Sequence, residues 1–196
     1  MIASNLIGYL LGSISFSYLV GKYWAGIDIR NFGSGNAGAT NTLRVLGVGP
    51  GIIVFIFDGL KGVMSVLIAE FISSGDPLVM IVAGISSIVG HNWPIYLKFK
   101  GGKGVATTIG VVASLVFWPA LYSALIASIL LVTTRYVSLA SIVFSILIPI
   151  FVIFLGYSLS YIIFTILIAI LVCLRHKENI KRLLKGTERK FGEKSR

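Results

Sequence analysis

Long apolar runs dominate this sequence and leave few folds open to it. Five of them are about the 20 residues that a helix needs to cross a bilayer, at 2–22, 51–72, 78–97, 137–155 and 157–174. Hydrophobic residues make up 56% of the chain and charged residues only 12%, whereas an ordinary soluble domain is roughly one-quarter charged. We therefore predict an all-α, polytopic integral membrane protein.

The apolar stretch 105–134 is less regular, because Trp118-Pro119 divides it into two short halves. The halves form either two short spans or one hairpin that dips into the bilayer, and in both cases the chain returns to the side it left. Counting them as two gives about seven spans. Since no stretch between spans is long enough for a second domain, we expect a single membrane-embedded domain over 1–196.

The basic residues indicate the orientation of these spans. All of the 17 Lys and Arg residues except Lys61 fall at 22–44, at 98–103, at position 135 and at 175–196. An odd number of spans places these four regions on one side, which the positive-inside rule makes the cytoplasm. The N-terminus is then outside and the C-terminal tail inside. The net charge of +10 is mainly this orientation signal, and with no nucleic-acid-binding module in the sequence we expect no nucleic-acid partner.

A glycine-rich, basic loop at 30–44 is the strongest sign of chemistry. Glycines let backbone N–H groups converge on an anion, while hydroxyl, amide and guanidinium groups add further donors. A surface turn shaped by glycines is the plainer interpretation, but it does not explain the Thr-Asn-Thr-x-Arg sequence that follows. The candidate ligands are Gly33, Ser34, Gly35, Asn36, Gly38, Thr40, Asn41 and Arg44.

A second such loop at 98–104 places Lys103 between Gly102 and Gly104. It is not a P-loop nucleotide site, because Gly104 stands where that motif requires Ser or Thr. We interpret Lys98 and Lys100 as interfacial orientation charges and Lys103 as a candidate ligand of phosphate.

Two histidines stand near the cytoplasmic ends of predicted spans. His91 lies in a hydrophobic segment, where it either lines a site or packs between helices. His176 and Asn179 are three residues apart and share a helix face. The two histidines lie in different segments without thiolate or carboxylate companions, so we expect no metal and no other cofactor.

Two weaker features complete the candidates. Asp58 and Lys61 can pair at i, i+3 within a span, as a structural lock or as a site. Arg135, Ser138 and Ser141 share a face at the start of the sixth span, where they could also meet a phosphate. The residues alone indicate a membrane protein that handles phosphate. They leave open an enzyme, an anion transporter and a small structural protein that binds anionic lipid.

The sequence has neither a His-x4-Asp acyltransferase motif nor a G-x-S-x-G nucleophile elbow. It resembles instead the PlsY-type acyl-phosphate:glycerol-3-phosphate acyltransferases of bacterial phospholipid synthesis. The resemblance covers essentially the whole chain and rests on three motifs. They are Gly33 through Arg44, Gly90-His91 with 100–107, and Arg175-His176-x-x-Asn179 with Arg182-Leu183 and Gly186-x-Glu188.

This resemblance implies transfer of a fatty acyl group from acyl phosphate to the 1-hydroxyl of glycerol 3-phosphate, at the cytoplasmic face of the bacterial inner membrane. The site would form from loops 23–50 and 98–104 and the tail 175–196. The partners would be both substrates and membrane lipids, with the oligomeric state open and a monomer compatible. No acyl-enzyme is implied, and the proton would go to the reacting phosphate or to His176.

The resemblance also implies roles for the candidate residues. Those expected to hold acyl phosphate are Ser34, Gly35, Asn36, Thr40, Asn41, His91 and Gly102. Those expected to bind and aim glycerol 3-phosphate are Arg44, Lys103, Ser141, His176 and Asn179, with Lys103, His176 and Asn179 as the catalytic set.

Overall fold

The computed structural model describes residues 2–193, and over that range the secondary structure is helical. Met1 and the last three residues of the predicted tail 175–196 lie outside the described residues. The helices are α1 (Ile2–Ser13), α2 (Phe16–Ala25), α3 (Ala39–Leu46), α4 (Val48–Ser73), α5 (Pro77–Asn92), α6 (Val105–Leu115), α7 (Phe117–Thr134), α8 (Val137–Phe154), α9 (Leu159–Arg175) and α10 (Lys177–Leu184). Short 3₁₀ turns lie at Ile29–Asn31 and Ile95–Leu97.

The described chain forms two compact units. The first runs to Leu115 and contains α1 to α6, and the second runs from Val116 to Glu193 and contains α7 to α10. Each glycine-rich loop belongs to the first unit. His176, Asn179 and the described part of the tail belong to the second.

Several helical segments are long and apolar enough to cross a membrane, which confirms the predicted all-α, multi-pass class. Among the described residues there are five such segments, and six if the bent pair α9 and α10 counts as one span. They are Ile2–Ala25, Val48–Ser73, Pro77–Leu97, Phe117–Thr134 and Val137–Phe154. Helix α6 is apolar but shorter. The count of seven spans and the orientation stay predictions.

The first span is broken, although its sequence is one continuous apolar run. Helix α1 ends at Ser13 and α2 begins at Phe16, with Ser15 accepting a 3.4 Å hydrogen bond from the N–H of Tyr18. A break inside a membrane leaves backbone groups that need new partners. Lys61 of α4 supplies one, because its ammonium donates to the carbonyl of Ile14 at 2.7 Å.

Small residues allow the helices of the first unit to pack closely. A Cβ atom at Gly8 of α1 would lie 2.6 Å from the carbonyl oxygen of Ala83 on α5, and one at Gly12 would overlap that of Ser87. Gly62 of α4 packs in the same way on Thr107 of α6. Such contacts let membrane helices approach through their backbones. Two of them hold α5, whose C-terminal end leads towards the second glycine-rich loop, against α1.

Helix α5 ends at Asn92, so the predicted span 78–97 continues beyond the helix. Pro94 explains this, because the residue before a proline is disfavoured in helical conformation. Asp76 caps the start of α5 by accepting from the N–H of Leu78 at 2.8 Å. His91 therefore lies in the last turn of α5, immediately before the second glycine-rich loop.

From the end of α6 onward, the helices end at positions that the sequence indicated only approximately. The division predicted at Trp118-Pro119 is wrong by a few residues, since α6 ends at Leu115 and Pro119 lies in the first turn of α7. Proline is tolerated there because first-turn N–H groups have no helical partner. Helices α9 and α10 meet at His176 with a bend of 64°.

Candidate functional site

Asn41 organises the first glycine-rich loop. Its Oδ1 accepts from the backbone N–H of Ser34 at 2.8 Å and from the Ser34 hydroxyl at 3.1 Å. Its Nδ2 donates to the carbonyls of Ile29 at 3.2 Å and Phe32 at 3.0 Å. Asn41 is buried, and both its donors are directed at backbone carbonyls. It therefore shapes the loop from inside, while Ser34 and Gly35 lie exposed on its outer side.

Two glycines give this loop its tight course. Gly33 and Gly35 have φ values of 64° and 72°, which residues other than glycine rarely adopt. A Cβ at Gly33 would also collide with Oδ1 of Asn41. The loop leads into the N-terminus of α3, whose first turn contains Thr40 and whose later turn carries the half-buried Arg44. A helix N-terminus favours anions.

Arg30 connects the first loop to the 3₁₀ turn that precedes the second loop. Its guanidinium forms a 2.6 Å ion pair with Asp28 and donates to the carbonyl of Leu97 at 3.2 Å. The hydrogen bonds and charge of Arg30 hold the pKa of Asp28 below its ordinary value, against a smaller opposing effect of burial. Because the Arg30 guanidinium is already bonded to Asp28 and to the carbonyl of Leu97, we assign Arg30 a structural role in holding these two segments together.

His91 and the second glycine-rich loop are in close contact. The N–H of Gly102 donates to the carbonyl of His91 at 3.1 Å. A Cβ at Gly102 would collide with Nε2 of His91 and with the carbonyl of Ala37 from the first loop. The structure thus brings together His91, Gly102 and the first loop, which are residues that the family resemblance assigns to acyl phosphate. The half-buried Lys103 follows, and α6 begins two residues later.

The predicted pairing of Asp58 and Lys61 is confirmed. Their side chains form a 2.8 Å ion pair, and both are buried inside the first unit. Asp58 Oδ1 also lies 3.6 Å from Nδ1 of His91. Sequence reasoning did not find this link, because His91 is on another helix.

In the second unit, His176 stands at the junction of α9 and α10 and is buried. Its Nδ1 lies 2.8 Å from the carbonyl oxygen of Val172. A carbonyl can only accept, so this bond requires the hydrogen on Nδ1. In the neutral ring Nε2 then carries the lone pair, which is the state that a general base needs.

Glu188 holds Asn179 in place. Its Oε1 accepts from Nδ2 of Asn179 at 2.6 Å and from the hydroxyl of Ser138 at 2.8 Å, and its Oε2 accepts from Arg182 at 2.7 Å. Burial pushes the pKa of Glu188 upward, but the hydrogen bonds from Arg182, Asn179 and Ser138 outweigh it and leave the pKa below its ordinary value. The sequence showed Glu188 as part of a motif without revealing this role.

The side chains of Arg135, Ser138 and Ser141, which the sequence suggested could meet a phosphate, form hydrogen bonds within the second unit. Arg135 donates to the carbonyl of Phe191 at 2.9 Å, and Ser138 bonds to Glu188. Ser141 is buried and its hydroxyl donates to the carbonyl of Val137 at 2.8 Å. Arg135 and Ser138 therefore secure the tail.

Comparison with known proteins assigns the family. A family model described as glycerol-3-phosphate acyltransferase matches residues 2–186. The chain belongs to the glycerol-3-phosphate acyltransferase family. It is 54% identical to the glycerol-3-phosphate acyltransferase of Shouchella clausii, over 99% of this chain and 97% of the relative. It is 53% identical to that of Halalkalibacterium halodurans, over 95% of this chain and 93% of the relative.

Solved structures agree with this membership. The chain resembles the crystal structure of PlsY (YgiH), an integral membrane glycerol 3-phosphate acyltransferase, in its glycerol 3-phosphate form. The TM-score is 0.92 at 44% identity, over 97% of this chain and 95% of that one. For the lysophosphatidic acid form of PlsY the TM-score is 0.89 at 43% identity, with the same coverage. The family resemblance inferred from the three motifs is confirmed.

Proposed function

We propose that this protein transfers a fatty acyl group from acyl phosphate to the 1-hydroxyl of glycerol 3-phosphate, giving lysophosphatidic acid and inorganic phosphate. The observation that carries the proposal is the match over nearly the whole chain to a PlsY structure in its glycerol 3-phosphate form. The assignment of acyl phosphate as donor rests on the motif resemblance. It also agrees with two basic glycine-rich loops that suit a phosphate headgroup.

The first unit supplies the groups that we assign to acyl phosphate. Ser34, Gly35 and Asn36 lie on the accessible side of the first loop. Thr40 lies in the first turn of α3, while Gly102 lies against the same loop at Ala37 and His91 lies against Gly102. Asn41 contributes through Ser34, whose backbone and hydroxyl it holds. Donors fixed in this way would receive the leaving phosphate without reorganisation.

On the family resemblance alone, we propose that glycerol 3-phosphate is bound by Arg44, Lys103, Ser141, His176 and Asn179. Arg44 and Lys103 supply positive charge for its phosphate, and a guanidinium can bind phosphate through two parallel N–H bonds. Ser141 can accept a hydrogen bond while its own hydrogen is directed at Val137. Asn179, held by Glu188, and His176 would orient the reacting hydroxyl.

The reaction then needs positioning and one proton transfer. The 1-hydroxyl oxygen attacks the acyl carbonyl, a new ester C–O bond forms, and the bond from the carbonyl carbon to the phosphate oxygen breaks. The hydroxyl proton goes either to the departing phosphate or to Nε2 of His176, which carries the lone pair in the neutral ring. Acyl phosphate is an activated mixed anhydride, so a covalent enzyme intermediate is not required.

The topology that we propose has seven spans, with α6 and α9 each crossing the membrane and the N-terminus outside. The glycine-rich loops and the tail would then face the cytoplasm at the bacterial inner membrane, within one functional domain over 1–196. The uneven distribution of Lys and Arg supports this orientation.

The donor can be tested with purified protein and labelled glycerol 3-phosphate. Palmitoyl phosphate, palmitoyl-CoA and palmitoyl acyl carrier protein are offered separately, and labelled lysophosphatidic acid is measured. We expect product only with palmitoyl phosphate. Product from the thioesters alone would reject the proposed donor while leaving the family assignment in place.

A further inference from the structure

The buried ion pair of α4 joins three elements of the first unit. Asp58 Oδ1 lies 2.8 Å from Nζ of Lys61 and 3.6 Å from Nδ1 of His91, and all three side chains are at least nine-tenths buried. Lys61 also donates to the carbonyl of Ile14, at the break between α1 and α2. Burying such charges in an apolar helix is costly. A group buried at such a cost either stabilises the packing of the helices or supports the residues of the proposed acyl-phosphate site.

The position of His91 favours the second explanation. One edge of its imidazole faces the Asp58 carboxylate through Nδ1. The opposite edge, at Nε2, lies against Gly102 and the second glycine-rich loop. At 3.6 Å this is an electrostatic contact rather than a hydrogen bond. Because an ionised carboxylate is negative and only accepts, the contact is favourable when Nδ1 carries a hydrogen. The charge of Asp58 thus favours the ring state in which Nδ1, facing α4, carries the hydrogen and Nε2 faces the loop.

We propose that Asp58 is a positioning residue for acyl transfer. It holds His91 by Nδ1 so that the Nε2 edge stays against Gly102, while Lys61 anchors the carboxylate to the break at Ile14. This inference rests on the proposed function, in which His91 and Gly102 hold the acyl-phosphate headgroup. Asp58 itself contacts neither substrate.

Two double variants distinguish a role of Asp58 in positioning His91 from a purely structural role of the ion pair. Asp58→Leu/Lys61→Met and Asp58→Asn/Lys61→Met both remove both charges, so neither leaves an unpaired buried ion, and both lose the bond to Ile14 equally. Neutral replacement of a buried ion pair is often tolerated. Only asparagine keeps an oxygen that can accept from Nδ1 of His91. The melting temperature, kcat and KM for palmitoyl phosphate are measured for each variant.

The leucine variant should lose about 10- to 100-fold in kcat/KM, because a small displacement of a group at the site can cost on the order of 10²-fold in rate. The asparagine variant should recover most of that loss at a similar melting temperature. Equal activity in the two variants, or undiminished activity in the leucine variant, would overturn the proposal. Lys98→Ala, at an exposed position of the second loop, serves as the activity control.

A spectroscopic measurement tests the same proposal without turnover. The chain has 2 histidines, so a ¹⁵N-histidine spectrum is simple, and a His176→Gln sample assigns the remaining signals to His91. The proposal requires a hydrogen on Nδ1 of His91 in the unmodified protein and its partial loss in the leucine variant. An Nδ1 without hydrogen in the unmodified protein would overturn it. Protein that folds but never consumes acyl phosphate would instead reject the proposed function.

Discussion

Asn179 donates a 2.6 Å hydrogen bond to the buried carboxylate of Glu188, which also accepts from Ser138 and Arg182. Four side chains from α8, α10 and the following segment thus meet at one charge. We expect Glu188→Gln to lower the free energy of unfolding by about 1.5–3 kcal/mol, the value of a hydrogen bond to a charged group, and to reduce activity through Asn179. Chemical unfolding in detergent measures the loss.

Glu178→Gln is the matched control for this change. Glu178 lies on the same helix α10 but is exposed, and its 3.3 Å pair with Lys181 is solvent-accessible. Exposed ion pairs contribute about 0–1 kcal/mol. Equal destabilisation by the two substitutions would show that the Glu188 network does not hold the tail.

Gly102→Ala should remove most activity. A methyl group there would collide with the His91 ring and with the carbonyl of Ala37, and a backbone carbonyl has little room to move. Displacing catalytic groups by an ångström can cost on the order of 10²-fold in rate. The control is Gly49→Ala, where the new Cβ would point into open space and meet no neighbour beyond its own helical turn. If kcat/KM of the Gly102→Ala variant matches that of the control, the close contact has no part in catalysis.

His176→Gln distinguishes the two proton acceptors. With Nδ1 bonded to Val172, the neutral ring offers Nε2 to the substrate hydroxyl. We therefore expect kcat to fall by about 10²-fold or more, the usual contribution of a general base, with little change in KM for glycerol 3-phosphate. Steady-state kinetics at saturating palmitoyl phosphate provide the measurement. A change confined to KM would assign the proton to the substrate phosphate.

Replacing Arg44, Lys98 or Lys103 by alanine should lower kcat/KM by different amounts. Lys103→Ala and Arg44→Ala should each cost about 1.5–3 kcal/mol in kcat/KM, as expected for charge-assisted bonds to phosphate. Lys98→Ala should cost little, because we interpret Lys98 as an orientation charge. Comparing kcat/KM for glycerol 3-phosphate across the three variants checks this. Equal losses would remove the distinction between ligand charges and orientation charges.

The sequence predicted the helices well, because apolar runs of bilayer length leave the backbone few alternatives. It did not predict the break at Ile14 and Ser15, which contains neither proline nor glycine. That break is stabilised by Lys61 from another helix, a contact without a local signal. The break near Trp118-Pro119 was misplaced because proline fits the first turn of α7.

In the candidate site, too, the sequence revealed features with a local signal but not contacts between distant residues. The glycines and the Asn-Thr-x-Arg pattern identified the first loop, yet the inward role of Asn41 depends on which backbone carbonyls lie beneath it. Glu188 and Ser138 are 50 residues apart in sequence, so their bond could not be read from spacing. The link from Asp58 to His91 likewise depends on how α4 packs against α5.

The proposed acyl transfer from acyl phosphate to glycerol 3-phosphate is most directly tested by measuring phosphate release from palmitoyl phosphate, with and without glycerol 3-phosphate. We predict release that requires glycerol 3-phosphate, is matched mole for mole by lysophosphatidic acid, and is nearly absent in the Lys103→Ala protein. Folded protein that releases no phosphate under any of these conditions would contradict the account. Anion flux measured in vesicles would then test the transporter alternative.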